Sequence, residues 1–64
     1  MAQAFKVALV QEDGTILRTW GAGGLAEDAA RRVQHTQVTR YRRNPASVQV
    51  LDRGAARGVE WAAR

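Results

Sequence analysis

Nine arginines and one lysine are the residues through which this 64-residue chain can do chemistry. Five of the arginines, Arg31, Arg32, Arg40, Arg42 and Arg43, lie in a stretch that contains no acid. A guanidinium is a planar fork of donors that grips phosphate or carboxylate in bidentate fashion, where an ammonium acts as a point charge. Five such groups held together repel one another, a cost that an anionic partner removes. His35 lies within the block and can add a further donor. A second basic group, Lys6 and Arg18, accompanies Trp20 in the N-terminal segment. Exposed strand aromatics amid cations serve as platforms for bases, as rests for a guanidinium or as apolar contacts for a protein. Trp20 is open to all three uses and to simple packing. Tyr41, next to Arg42 and Arg43, either anchors a phosphate contact or covers the edge of the core.

Chemistry of other kinds is expected to be absent. The chain has no cysteine and one histidine, so thiolate metal sites and His-rich metal sites are excluded. At helical spacing His35 neighbours Arg31, Arg32 and Thr39, none of which orients or activates a general base. The pairs Glu12-Asp13 and Glu27-Asp28 have ordinary places in a turn and at a helix start. Gly21-Ala22-Gly23-Gly24 lacks the glycine-lysine-serine/threonine ending of a phosphate loop, and the acids of the following turn would oppose a phosphate. It reads as a strand-to-helix turn. The expectation is a protein without catalytic residues, cofactor or metal.

The elements that must position these residues follow from local pattern. Ala4 to Val10 and Thr15 to Trp20 are rich in strand formers, and Asp13-Gly14 between them signals a hairpin. A three-residue loop, Glu12-Asp13-Gly14 with Gly14 left-handed, pairs Leu9 with Leu17, Val7 with Thr19 and Phe5 with Gly21. Lys6, Ala8, Val10, Ile16, Arg18 and Trp20 then share the opposite face, away from the helix. A two-residue loop would instead set Val7 opposite Trp20 and Leu9 opposite Arg18, mixing charge into the more apolar face.

After the glycines a helix is expected, with Glu27 and Asp28 in its first turn and arginines later, as the helix dipole favours. Leu25, Ala26, Ala29, Ala30 and Val33 fall on one stripe, continued weakly by Gln37 and Tyr41. Arg31, His35, Thr39 and Arg42 line the other side. The helix stops before Thr39 or, at the latest, at Asn44-Pro45. Ser47 to Arg53 alternates as a third strand with Val48 and Val50 inward and Gln49, Leu51 and Arg53 outward. Gly54 to Gly58 reads as a loop, and Val59 to Ala62 as either a short fourth strand with Trp61 closing the core or a frayed turn. The fold class is α+β: an antiparallel sheet of three to four strands with one helix packed on one face, ββαββ, in a single domain over residues 1–64.

Size and composition bound what such a domain can do. Twelve of its 29 hydrophobic residues are alanine, so the core is thin. A chain of this length buries only about 60% of the surface it exposes when unfolded. No apolar run is long enough to span a bilayer and no signal-peptide pattern opens the chain, so a cytoplasmic protein with no membrane partner is expected.

The order of elements, carried by Phe5-Lys6-Val7-Ala8-Leu9-Val10, Asp13-Gly14, Ala29-Ala30-Arg31-Arg32-Val33 and Ser47-Val48-Gln49-Val50, resembles small strand-strand-helix-strand-strand proteins of bacteria and phages, anti-CRISPR proteins among them. That resemblance implies a short, non-enzymatic inhibitor that occludes the nucleic-acid-binding surface of an effector. Two functions are therefore expected of the formal net charge of +4. One is a binding protein that presents its arginine-rich helix and its Trp20 face to a protein with an acidic or nucleic-acid-binding surface. The alternative is a DNA- or RNA-binding module that contacts phosphates through Arg31 to Arg43. The half-apolar outer face of the sheet, with Val10, Ile16, Leu51 and Trp20, adds a homodimer to the candidate partners.

Overall fold

The apolar segments at the two ends of the chain fold as two hairpins, β1 (Phe5–Gln11) with β2 (Ile16–Leu25) and β3 (Ala46–Asp52) with β4 (Ala55–Trp61), and the helix α1 (Glu27–Arg40) joins them. The computed structural model describes residues 4–42 and 46–61. The spatial order is β2-β1-β3-β4 with every neighbouring pair antiparallel, and the helix lies on one face over β1 and β3. This is the expected α+β architecture, with the fourth strand present. Val7 and Leu9 from β1 pair with Val50 and Val48 from β3, and these four side chains with Ala30 and Ala46 form the core.

The first hairpin contains the main departure from simple alternation. Its loop is the expected one. Gln11 and Thr15 close it, with the Gln11 N–H donating to the Thr15 carbonyl at 2.8 Å, and Gly14 has a φ of 91°. Asp13 accepts from the Thr15 N–H at 2.9 Å, which holds its carboxyl below the ordinary value. Val10 then pairs with Ile16, also as the three-residue loop requires, but the next pair is Leu9 with Arg18. Leu17 is the extra residue of a β-bulge. The pairs Leu9–Leu17 and Val7–Thr19 therefore do not form; Leu9 faces Arg18 and Val7 faces Trp20. Because strand side chains alternate with period two, one inserted residue turns everything beyond it over. Ile16 stays on the open face of the sheet while Arg18 and Trp20 pass to the helix side. The bulge gives a core with few large side chains the use of Trp20, which packs against it half-buried.

Nor do the glycines end the strand. β2 continues through them to Leu25, which pairs with Phe5, so Leu25 closes a strand and does not open the helix stripe. Gly21 has a φ of 94°, and a Cβ there would lie 2.8 Å from Leu25 Cδ1. The backbone requires glycine at this position, and a Cβ would in addition have to displace the Leu25 side chain.

The helix begins at Glu27 after Ala26, which supplies no side-chain cap, and keeps Glu27 and Asp28 in the first turn and Arg40 in the last. It ends at Arg40, between the two expected stops; Asn44-Pro45 lies outside the described residues. Its buried residues are Ala30, Gln34 and Gln37, with Val33, Val38 and Tyr41 packed against the core. The buried stripe is thus rotated away from Ala26 and Ala29, and Val38 belongs to it. Gln34, 2% exposed, makes the rotation favourable. Its Nε2 donates to the Val48 carbonyl at 2.9 Å and to the Gly58 carbonyl at 3.2 Å, fastening the helix to β3 and β4. A buried amide joined to its partners contributes where an unjoined one costs.

β4 starts at Ala55, so most of the segment expected as a loop is strand. Only Arg53 and Gly54 turn, with φ values of 53° and 86° between the paired residues Asp52 and Ala55. Two positive φ angles in a two-residue loop are the requirement of a type I′ turn, whose first position favours asparagine. An arginine held left-handed costs about 1 kcal/mol, so Arg53→Asn is expected to stabilise the protein by about 0.5–1 kcal/mol. Thermal unfolding followed by circular dichroism should show a midpoint higher by several degrees. An unchanged or lower midpoint would contradict this account of the turn. Trp61, expected to close the core, is 44% exposed and pairs with Ser47 on the open face.

Candidate binding site

The charged residues divide into those that the fold neutralises and those that it leaves available. Arg31 lies 3.7 Å from Glu27 and Arg32 lies 3.4 Å from Asp28, one helical turn apart in each case. Exposed pairs of this spacing contribute only about 0.3–0.5 kcal/mol, but they cancel the local charge. Arg31 has a further structural use. It reaches across β4 towards the Arg57 carbonyl at 3.5 Å and runs over Gly58, where a Cβ would meet its guanidinium at 2.8 Å. On the second hairpin Arg57 pairs with Asp52 at 3.5 Å. The first half of the helix is therefore close to neutral.

Its C-terminal end is not. The bulge in β2 delivers Arg18 and Trp20 to the side where Tyr41 caps the helix, and the three form a cluster. The Trp20 and Tyr41 rings stand 6.2 Å apart at 53°, in the tilted arrangement that aromatic quadrupoles favour. Arg18 Cζ lies 5.9 Å from the Trp20 ring centroid, and Arg18 Nη1 donates to the Tyr41 hydroxyl at 3.1 Å. The ring and the hydroxyl hold the guanidinium without cancelling its charge, and cation–π contacts of this kind contribute about 0.5–1 kcal/mol at exposed sites. Arg40 and Arg42 flank Tyr41 in the chain, are exposed, and make no ion pair among the described residues.

Of the residues singled out in the sequence, Arg18, Trp20, Arg40 and Arg42 come to this end of the molecule, on the helix side of the sheet. His35 is exposed on the helix one turn before Thr39, whose hydroxyl donates to its carbonyl at 3.2 Å. Lys6 stays on the open face where alternation put it, whereas Arg18 and Trp20, assigned to that same face, lie on the helix side, so Lys6 does not join Trp20. Arg43 lies outside the described residues. Two residues acquire roles that alternation did not supply: Tyr41, which organises Arg18 and Trp20, and Gln34, which orients the helix. The sequence places Tyr41 beside arginines and at the edge of the core, but not against Arg18 and Trp20, because its contacts with β2 span more than 20 residues.

Among the described residues, no group of three or more His, Cys, Asp and Glu side chains could hold a metal ion. No described helix is long and apolar enough to cross a membrane. Comparison with protein-family models, with curated proteins and with solved structures finds no match for this chain.

Proposed function

We propose that this chain is a small non-enzymatic binding protein that docks the C-terminal end of its helix on an acidic protein surface. The observation that carries the reading is the Arg18–Trp20–Tyr41 cluster beside Arg40 and Arg42, set apart from the arginines that Glu27, Asp28 and Asp52 already engage. Arginine and large aromatics are the side chains that concentrate binding energy at protein interfaces. A guanidinium already held by a ring and a hydroxyl loses little further freedom on binding a carboxylate. The resemblance to phage and bacterial inhibitors supplies one form of this function, an inhibitor or adaptor. The sign of the charge selects its target, because a groove that binds nucleic acid is itself basic and would repel these arginines.

A nucleic-acid-binding module is the second reading, favoured by Arg18, Arg40 and Arg42, which make no ion pair among the described residues. It is the weaker one because Trp20 is half-buried against Tyr41 and the core, which withdraws it as a platform for bases.

Affinity capture from nuclease-treated cell lysate, paired with duplex-DNA titrations at several salt concentrations, separates the two. Wild-type protein should retain one stoichiometric protein partner, and the double reversal Arg18→Glu/Arg42→Glu should lose it. Duplex binding should be weak, with a log–log salt slope no steeper than about −3, the value for neutralising about three phosphates. Tight duplex binding with a steeper slope would favour the second reading, and unchanged capture by the double variant would overturn the first.

A further inference from the structure

The face of the sheet that the helix leaves open has a composition unlike the rest of the surface. The strand registers place its residues in rows across the sheet. One row is Ile16, Val10, Ser47 and Trp61; the next is Thr19, Ala8, Gln49 and Val59; the last is Lys6, Leu51 and Ala56. Lys6 is the only charged residue in these rows, in a molecule whose other described charges lie on the helix, in the turns or on the helix side of the strands. Of the four most exposed large hydrophobic side chains among the described residues, Ile16 at 57%, Val59 at 47% and Trp61 at 44% stand on this face. The fourth, Leu17, is the bulge residue beside it.

Two of the polar residues on this face, Gln49 and Ser47, are partnered within the sheet, which leaves the Thr19 hydroxyl to find its partner across an interface. Gln49 Nε2 donates to Ser47 Oγ at 3.1 Å, and Ser47 Oγ lies 3.5 Å from the Val10 carbonyl. Covering them therefore strands few hydrogen-bonding groups, which is the usual cost of burying a polar face. Lys6 stands in the end row, where a long stem can lie along the interface with its ammonium in water.

We propose that this face is the interface of a homodimer, in which two copies stack sheet against sheet with the helices outward. Three observations select a second copy as the occupant. First, a charge-poor face is complementary to itself, whereas the basic remainder of the molecule repels its like. Second, four adjacent strands, β1, β3 and β4 of seven residues and β2 of ten, give a flat footprint of roughly 19 by 23 Å; with side-chain relief, two such faces bury about 1,000 Å² or more, the area at which specific interfaces begin. Third, among the described residues only four apolar side chains larger than alanine are buried, Val7, Leu9, Val48 and Val50, and stacking gives the sheet a second apolar layer. Pairing through strand edges is disfavoured, since β2 is interrupted by its bulge and glycines and β4 by a register shift at Leu51. This inference goes beyond the proposed function and does not depend on it: the arginine cluster lies on the helix side, so a dimer would present it twice.

Sedimentation equilibrium of the full chain alone, at concentrations on the order of 100 μM, tests the proposal. Wild-type protein should show twice the monomer mass of 7.0 kDa. Val59→Glu and, at the other side of the face, Ile16→Glu should each return the monomer mass with the far-ultraviolet circular dichroism spectrum retained, raising Kd by about 100-fold or more. Glu60→Lys, on the same strand but the helix side, should leave the dimer intact. A monomeric wild type, a dimer that survives both glutamates, or dissociation by Glu60→Lys as well, which would indicate association through the β4 edge, would each overturn it.

Discussion

Gln34→Ala should unfold a large fraction of the molecules. The substitution empties a fully enclosed site, and the Val48 and Gly58 carbonyls lose the amide that reaches them from the helix. Truncating a buried side chain of this size costs about 2–4 kcal/mol, and each hydrogen bond lost about 1 kcal/mol more. A domain of this length has a total stability of roughly 3–10 kcal/mol, so the loss is comparable with the lower end of what there is. Gln34→Met, which keeps most of the volume but cannot donate, should fall between wild type and alanine. Urea unfolding followed by circular dichroism reads both. The order wild type, Met, Ala in midpoint is the expected result. If Gln34→Ala shifts stability by less than about 1 kcal/mol, the amide is not what holds the helix to β3 and β4.

Trp20→Ala should be the next most damaging change. The ring packs against Tyr41 and the core and carries Arg18 on its face, and removing such a half-buried aromatic costs about 2–3 kcal/mol. The bulge at Leu17 makes this prediction discriminating. In an unbroken three-residue-loop register Trp20 would stand on the open face, and its loss would cost the monomer little. Trp61→Ala, on that open face, is the comparison: in dilute solution it should be the milder of the two. Equal effects in urea unfolding would contradict the placement of Trp20. Trp20→Ala also removes the ring against which Arg18 and Tyr41 rest, so affinity for an acidic partner should fall by about tenfold, in proportion to one pinned charge contact.

Much of the fold was legible because it rests on short-range chemistry. Asp13-Gly14 specified the loop, and the closing pairs Gln11–Thr15 and Val10–Ile16 formed as the loop length requires. Alternation in Ser47 to Leu51 placed Val48 and Val50 inward. The acids before the arginines marked the helix direction. The errors occur where one residue's placement depends on a distant partner. Nothing in the sequence of β2 distinguishes a regular strand from one bulged at Leu17; the choice is made by a core that needs Trp20 more than the open face does. Gln34 reads as a surface residue until two sheet carbonyls lie within reach of its amide. Arg53-Gly54 carries no turn signal because arginine is a poor residue for a positive φ.

The candidate site divides along the same line. By itself, the sequence determined the excess of arginine, its concentration from Arg31 to Arg43, the lack of cysteine and the scarcity of large apolar side chains, because these are properties of composition and order. It also determined the helix and the first hairpin, whose signals lie within a few residues of each other, but left the second hairpin open between a strand and a frayed turn. Only the tertiary structure decided which arginines are engaged at home and which face outward. Glu27 and Asp28 lie one turn from Arg31 and Arg32 and cancel them, whereas Arg18 acquires Tyr41 as a partner across 23 positions of chain. A single bulge decided which face of the sheet receives Trp20, since inserting one residue reverses every side chain beyond it and no local preference opposes that reversal.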